Sequence, residues 1–272
     1  VKTDIELRNR GFSLIEIAIV LVIISVLLAI VAIPLASQVE QRRRADTEKQ
    51  LETIMEAIIG YALANGRFPC ASEPADNGKE SVIDESQGTC RSYSSLLPAV
   101  TLGLAPVDEN GFAIDAWGLK QNRIRYAVMK IAATAGTNCP TTPVSLPFTR
   151  RDGMKAAGMN CLANYNTDSP PPIKTLITIC SNTPAAVQPY CIPTKLSLAA
   201  PFVLISLAKN APTGGLVTND EGFNAGTRGD GTVFVSHTPT PESAPGGEFD
   251  DIVVWPSLNT IFGRMVQAGK LP

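Results

Sequence analysis

The side chains of this sequence that could do chemistry are six cysteines, one histidine and a group of acids in the last third of the chain. Cys70, Cys90, Cys139, Cys161, Cys180 and Cys191 include no CxxC pair and His237 stands alone, so a structural zinc site would need widely spaced cysteines. Disulfides formed in an oxidising compartment are the simpler use of such thiols. The sequence does not choose among the connectivities open to six cysteines. Pairing of neighbours, Cys70 with Cys90, Cys139 with Cys161 and Cys180 with Cys191, would close short loops, each contributing about 2–4 kcal/mol.

The acids Asp220, Glu221, Asp230, Glu248, Asp250 and Asp251, with Asn219 and Asn224, lie in or beside glycine-rich stretches. Hard oxygen donors of this kind suit calcium, with Asp220, Asp230, Asp250 and Asp251 as candidate ligands. Their spacing matches no EF-hand loop, which makes solvated loop acids the plainer reading. No GxSxG, Walker A or HExxH pattern occurs, and a lone histidine at a strand end is more often a packing residue than a base. An enzyme is not expected, nor any cofactor besides that calcium. Arg228, Gly229 and Asp230 spell the integrin-recognition tripeptide, for which a turn in a glycine-rich loop is explanation enough.

These residues need elements to hold them. Residues 12–33 are apolar except for Ser13, Glu16 and Ser25. As an α-helix the stretch rises about 33 Å, enough for a hydrocarbon core of about 30 Å, and no polar face relieves it after Glu16. A carboxylate at that depth costs several kcal/mol in lipid unless it is paired. Pro34 is expected to kink or interrupt the helix. Beyond it Leu51, Ile54, Met55, Ile58, Ile59 and Ala62 recur at helical spacing, and Asn65 with Gly66 supplies a stop. Arg42, Arg43 and Arg44 read as a solvated helix face.

Residues 69–110 read as a polar, loop-rich connection. In RIRYAVMKIA, Ile124, Tyr126 and Val128 alternate with Arg123, Arg125 and Ala127, predicting a strand with one wet face. PIKTLITICS, PFVLISLAK, TVFVSH and DIVVWPS are further strand candidates, and TGGLVTNDEGFNAGTRGDG reads as a long exposed loop. Near the end, Leu258, Ile261, Phe262, Met265 and Val266 share a helical face, with Ser257 as N-cap and Gly269 as stop. The formal net charge of −2 offers no basic excess, so nucleic acid is not indicated as a partner.

A short charged leader followed by GFSLIE and an apolar helix resembles the N-terminus of type IV prepilins and type II secretion pseudopilins. The resemblance implies cleavage by a prepilin peptidase between Gly11 and Phe12 and N-methylation of Phe12. It also implies an assembly role for Glu16, whose carboxylate would meet the N-terminal amine of a neighbouring pilin or pseudopilin subunit. Asp115, Ala116, Trp117 and Gly118 before an Arg-Tyr strand are similar to a segment of pseudopilin heads, and major pseudopilins carry a calcium-stabilised loop near the C-terminus.

The fold so implied is α+β and pilin-like: a long N-terminal helix, transmembrane in its first half, packed on a mostly antiparallel sheet with a C-terminal helix. Its parts would be a leader at 1–11, a membrane and filament-core helix at 12–34, an amphipathic continuation at 35–65 and a disulfide-containing periplasmic head at 66–272. The protein would sit singly spanning the bacterial inner membrane, N-terminus in the cytoplasm, and pass through an inner-membrane assembly platform into a pilus or secretion filament. The large head favours a minor subunit. The rival class is a membrane-anchored periplasmic enzyme or ligand-binding protein, including a tip adhesin or DNA receptor.

Overall fold

In a computed structural model, the structure describes residues 13–129, 148–155, 177–182, 191, 195–213, 220–226, 231–245 and 247–271; for 28–36, 198–199 and 212–213 it describes the backbone alone. It divides into two compact units, 1–45 and 46–272.

Helix α1 runs Leu14–Asn65. It continues through Pro34, so the expected interruption does not occur there: one missing amide and its ring are tolerated within a helix that long on either side. In the first unit every described side chain of residues 13–27 is exposed, including Leu14 at 89% and Ile15 at 67%. Among the described residues no helical stretch is long and apolar enough to cross a membrane.

In the second unit the same helix is a core element. Leu51, Ile54, Ile58, Ile59 and Ala62 are buried, and Met55 packs beside them. The helix stops where Gly66 turns to a φ of +69°, a conformation glycine adopts without a Cβ clash, and its amide closes the last turn on the Ala62 carbonyl.

The strands are β1 (Val82–Asp84), β2 (Thr89–Cys90), β3 (Ser94–Leu96), β4 (Arg125–Val128), β5 (Ile177–Cys180), β6 (Lys195–Ala200), β7 (Phe202–Ser206), β8 (Val233–Val235) and β9 (Ile252–Val254). β1 and β2 form a ribbon. The main sheet has the order β3-β4-β7-β9, antiparallel throughout, and a second sheet has the order β6-β5-β8, with β5 and β8 parallel. Side chains of the main sheet alternate between two apolar layers. Tyr126, Val128, Phe202 and Leu204 face α1, whereas Ala127, Val203 and Ile205 face Ile177, Ile179 and Phe234 of the second sheet.

This corrects the expected wet face on β4. The second sheet covers that side, so Ala127 is 1% exposed. Within the stretch expected to be only connection, Ser94–Leu96 forms the edge of the main sheet.

Helix α2 is a single turn, Glu221–Asn224, and α3 is Leu258–Gln267. Ser257 caps α3, its hydroxyl accepting from the Thr260 amide at 3.1 Å. Ile261, Phe262 and Met265 enter the core, but Val266 is 44% exposed, because the buried stripe is narrower than the sequence spacing allowed.

Candidate functional site

Two regions carry the residues singled out from the sequence. At the N-terminus, Gly11 and Phe12 lie outside the described residues. Glu16 is described, and its Oε2 accepts a hydrogen bond from the Ser13 amide at 3.1 Å while the Ile15 amide approaches the Ser13 hydroxyl at 3.4 Å. Ser13 and Glu16, three residues apart, thus make the carboxylate half of a capping box, and the carboxylate sits at the positive end of the helix. The Ser-x-x-Glu spacing was present in the sequence as a signal for this local role.

In the head, Cys70 pairs with Cys90 and Cys180 with Cys191, at Cα separations of 5.5 and 5.4 Å. These are two of the neighbour pairs; Cys139 and Cys161 lie outside the described residues. The first disulfide sits beside a buried ion pair. Arg67 Nη2 is 2.7 Å from Glu80 Oε1, and Glu80 also accepts from the Cys70 amide at 3.1 Å and the Tyr61 hydroxyl at 3.0 Å. Burial alone would raise the Glu80 carboxyl, but the Arg67 hydrogen bond and charge, with the Cys70 and Tyr61 donors, outweigh it and hold it below the ordinary carboxylate value. The Tyr61 hydroxyl is pushed up to about 12 by burial and by the Glu80 charge.

The candidate calcium ligands separate into different environments. Asp220 pairs with His237 Nε2 at 2.9 Å, and the imidazole stacks on Phe249 with ring centroids 3.8 Å apart, so the histidine is a packing residue. Asp230 lies outside the described residues, as do Arg228 and Gly229. Glu248 takes the Lys209 ammonium at 2.9 Å.

Asp250 and Asp251 meet Glu221, which the sequence placed among the acids that suit calcium but not among the four candidate ligands. One oxygen of each lies within 4.8 Å of the others, and all three residues are buried, at 8%, 2% and 3%. This overturns the reading of these three as solvated loop acids. The stretch around Glu221 turns into α2 and is packed under the strand ends by Phe223 and Phe249, with Asn224 at 1% exposure.

Backbone and amide donors fix the cluster. Glu221 Oε1 accepts from the Asp250 amide at 3.0 Å and Oε2 from Asn210 Nδ2 at 2.7 Å. Asp250 Oδ2 accepts from the Lys209 amide at 3.2 Å. Asn224 bridges β8 to Asp251: its Oδ1 accepts from the Val235 amide, and its Nδ2 donates to the Val235 carbonyl and to Asp251 Oδ2 at 2.8 Å.

Burial first, and then the charge of Glu221, push the Asp250 carboxyl up to about 7 and the Asp251 carboxyl well above its usual range; burial likewise raises Glu221. Arg125, largely buried and itself lowered by that burial, offsets part of the charge on Asp251.

An α+β chain that opens on a long helix with apolar, exposed first turns and continues into a disulfide-linked head has an architecture compatible with pilin-like proteins. Residues 7–32 match the family model of the prokaryotic N-terminal methylation motif. The chain thus carries the hallmark of the type IV pilin and pseudopilin family, whose members are processed by prepilin peptidase and assemble with other pilin subunits. Comparison with curated proteins and with solved structures gave no significant match.

Proposed function

We propose that this protein is a structural subunit, a minor pilin or pseudopilin, of a type IV pilus or type II secretion-like filament, and not an enzyme. The observation that carries the proposal is the methylation motif at residues 7–32, coinciding with the helical stretch whose described apolar side chains find no burial in the single chain. Apolar surface of that extent in one molecule calls for lipid or for neighbouring helices. Before assembly residues 12–34 would span the inner membrane with the head in the periplasm, where its disulfides are stable. On assembly the helix exchanges lipid for other helices. Because the two are similarly apolar, packing and a charge contact must favour the exchange, with the assembly platform supplying the drive.

Cleavage between Gly11 and Phe12 creates the N-terminal amine that this charge contact needs. Glu16 then has two competing donors: the cap amide of its own helix and the methylated amine of a neighbouring Phe12. Intact mass measurement of protein isolated from cells is the test. A mature chain beginning at a methylated Phe12 is expected, and one that retains the leader and Gly11 would refute the proposal. A membrane-anchored enzyme or ligand-binding protein on an ordinary signal anchor would give that second result.

A further inference from the structure

We propose that the cleft between the end of α1, residues 151–155 and the end of α3 binds a small phosphate monoester, held by Arg151, Lys155 and Lys270. The cleft encloses about 420 Å³, within the range of small-molecule sites, and these three cations line it against one carboxylate, Asp152. All of its lining lies in the second unit, so such binding would be independent of entry into a filament.

Lysines near a helix C-terminus ordinarily serve its free carbonyls. Here other donors close both ends. At the end of α1 the Gly66 amide donates to the Ala62 carbonyl at 2.8 Å, and Asn65 Nδ2 to the Tyr61 carbonyl at 2.9 Å. At the end of α3 Gly269, with a φ of +65°, and Lys270 donate their amides to the carbonyls of Val266 and Met265 at 2.9 and 2.8 Å, a Schellman closure. Among the described residues the Lys155 and Lys270 ammonium groups have no ion-pair partner, and Arg151 meets the exposed Glu85 at 3.7 Å, a weak contact. Positive charge is therefore in excess in the cleft.

The backbone that carries these cations is anchored. Met154 is fully buried beside Lys155, and Leu271 is buried beside Lys270. Residues 151–155 can approach the end of α1 because position 66 is glycine: a Cβ there would stand 3.2 Å from the Asp152 amide nitrogen and from Oδ1. Three cations carried by two separate segments suit a tetrahedral group whose oxygens point in different directions, whereas a planar carboxylate is served by one guanidinium fork. Leu63 and Met265 give the same cleft an apolar wall for the carbon part of an ester. Asp152 supplies an acceptor for a hydroxyl group on that part.

The test titrates the full chain in detergent micelles with glycerol 3-phosphate by calorimetry at low ionic strength, where exposed charges are least screened. One molecule per chain with a Kd of about 0.1–1 mM is expected, and succinate, a dianion of planar groups, should bind about threefold more weakly. Lys155→Gln combined with Lys270→Gln should weaken binding about tenfold and leave the Tm within about 1 °C, because both side chains are exposed. Lys79→Gln, which removes an exposed cation outside the cleft, should leave binding unchanged. No saturable heat with the unsubstituted chain would overturn the proposal, as would undiminished binding by the double variant or an equal loss from Lys79→Gln. Succinate bound as tightly as glycerol 3-phosphate would overturn the choice of a phosphate group.

Discussion

Residues 14–27 and 51–62 belong to one helix and carry similar aliphatic side chains, yet they are used in opposite ways. Ile23 is 52% exposed and Ile58 is fully buried. The difference lies in what surrounds them. Residues 51–62 set Leu51, Ile54, Ile58, Ile59 and Ala62 on one stripe and Glu52, Thr53 and Glu56 on another, so one stripe is buried and the other meets water, and the helix is satisfied within its own chain. The earlier stretch has no polar face after Glu16, and its described side chains are exposed in the single molecule. Folding of the head fixes the second stretch; under the proposed function an assembly or a membrane satisfies the first.

The comparison is broken most directly by truncating an isoleucine in each half. Ile58→Ala should cost the head about 2–5 kcal/mol in denaturant unfolding, because it opens a cavity between α1 and the main sheet. Ile23→Ala should leave that unfolding free energy within about 0.5 kcal/mol while lowering incorporation into filaments. A large stability loss from Ile23→Ala would mean that the first stretch is also part of the head's core.

The two acids, Glu16 and Glu80, sharpen the same contrast. Glu80 is satisfied inside the head by Arg67, Tyr61 and the Cys70 amide, and its carboxyl lies below the ordinary value. Its contribution is therefore present above the unfolded carboxylate range and is lost as the pH falls through the depressed folded value. The head should lose stability on acidification below about pH 4.5, and Glu80→Gln should flatten that part of the profile. A profile unchanged by the substitution would show that the ion pair does not govern acid stability.

Much of the architecture was legible in the sequence because regular periodicity survives in it. The 3- and 4-residue spacing after residue 50, the apolar runs of β5, β7, β8 and β9, and Ser257 as a cap each have a local cause. The second sheet was not legible. Alternation in RIRYAVMKIA shows that two faces differ, but Ala127 is too small to announce that its face is covered as well. The acid cluster was hidden for a different reason. Glu221 joins Asp250 and Asp251 across a glycine-rich interval that has no period to read. The available hint was composition: Phe249 and Ile252 flank the paired aspartates, and Phe223 follows Glu221, which is unusual company for acids left in water.

The smallest chemical change bears on the central claim. The cap contact of Glu16 with the Ser13 amide can be made by glutamine as well as by glutamate, whereas an ion pair with a neighbour's N-terminal amine needs the negative charge. The decisive measurement is filament incorporation of Glu16→Gln in a strain lacking the unsubstituted copy, with membrane insertion followed in parallel. Insertion should be normal and incorporation reduced as severely as in Glu16→Ala. Incorporation of Glu16→Gln at the unsubstituted level would contradict the account, leaving Glu16 a helix cap and nothing more.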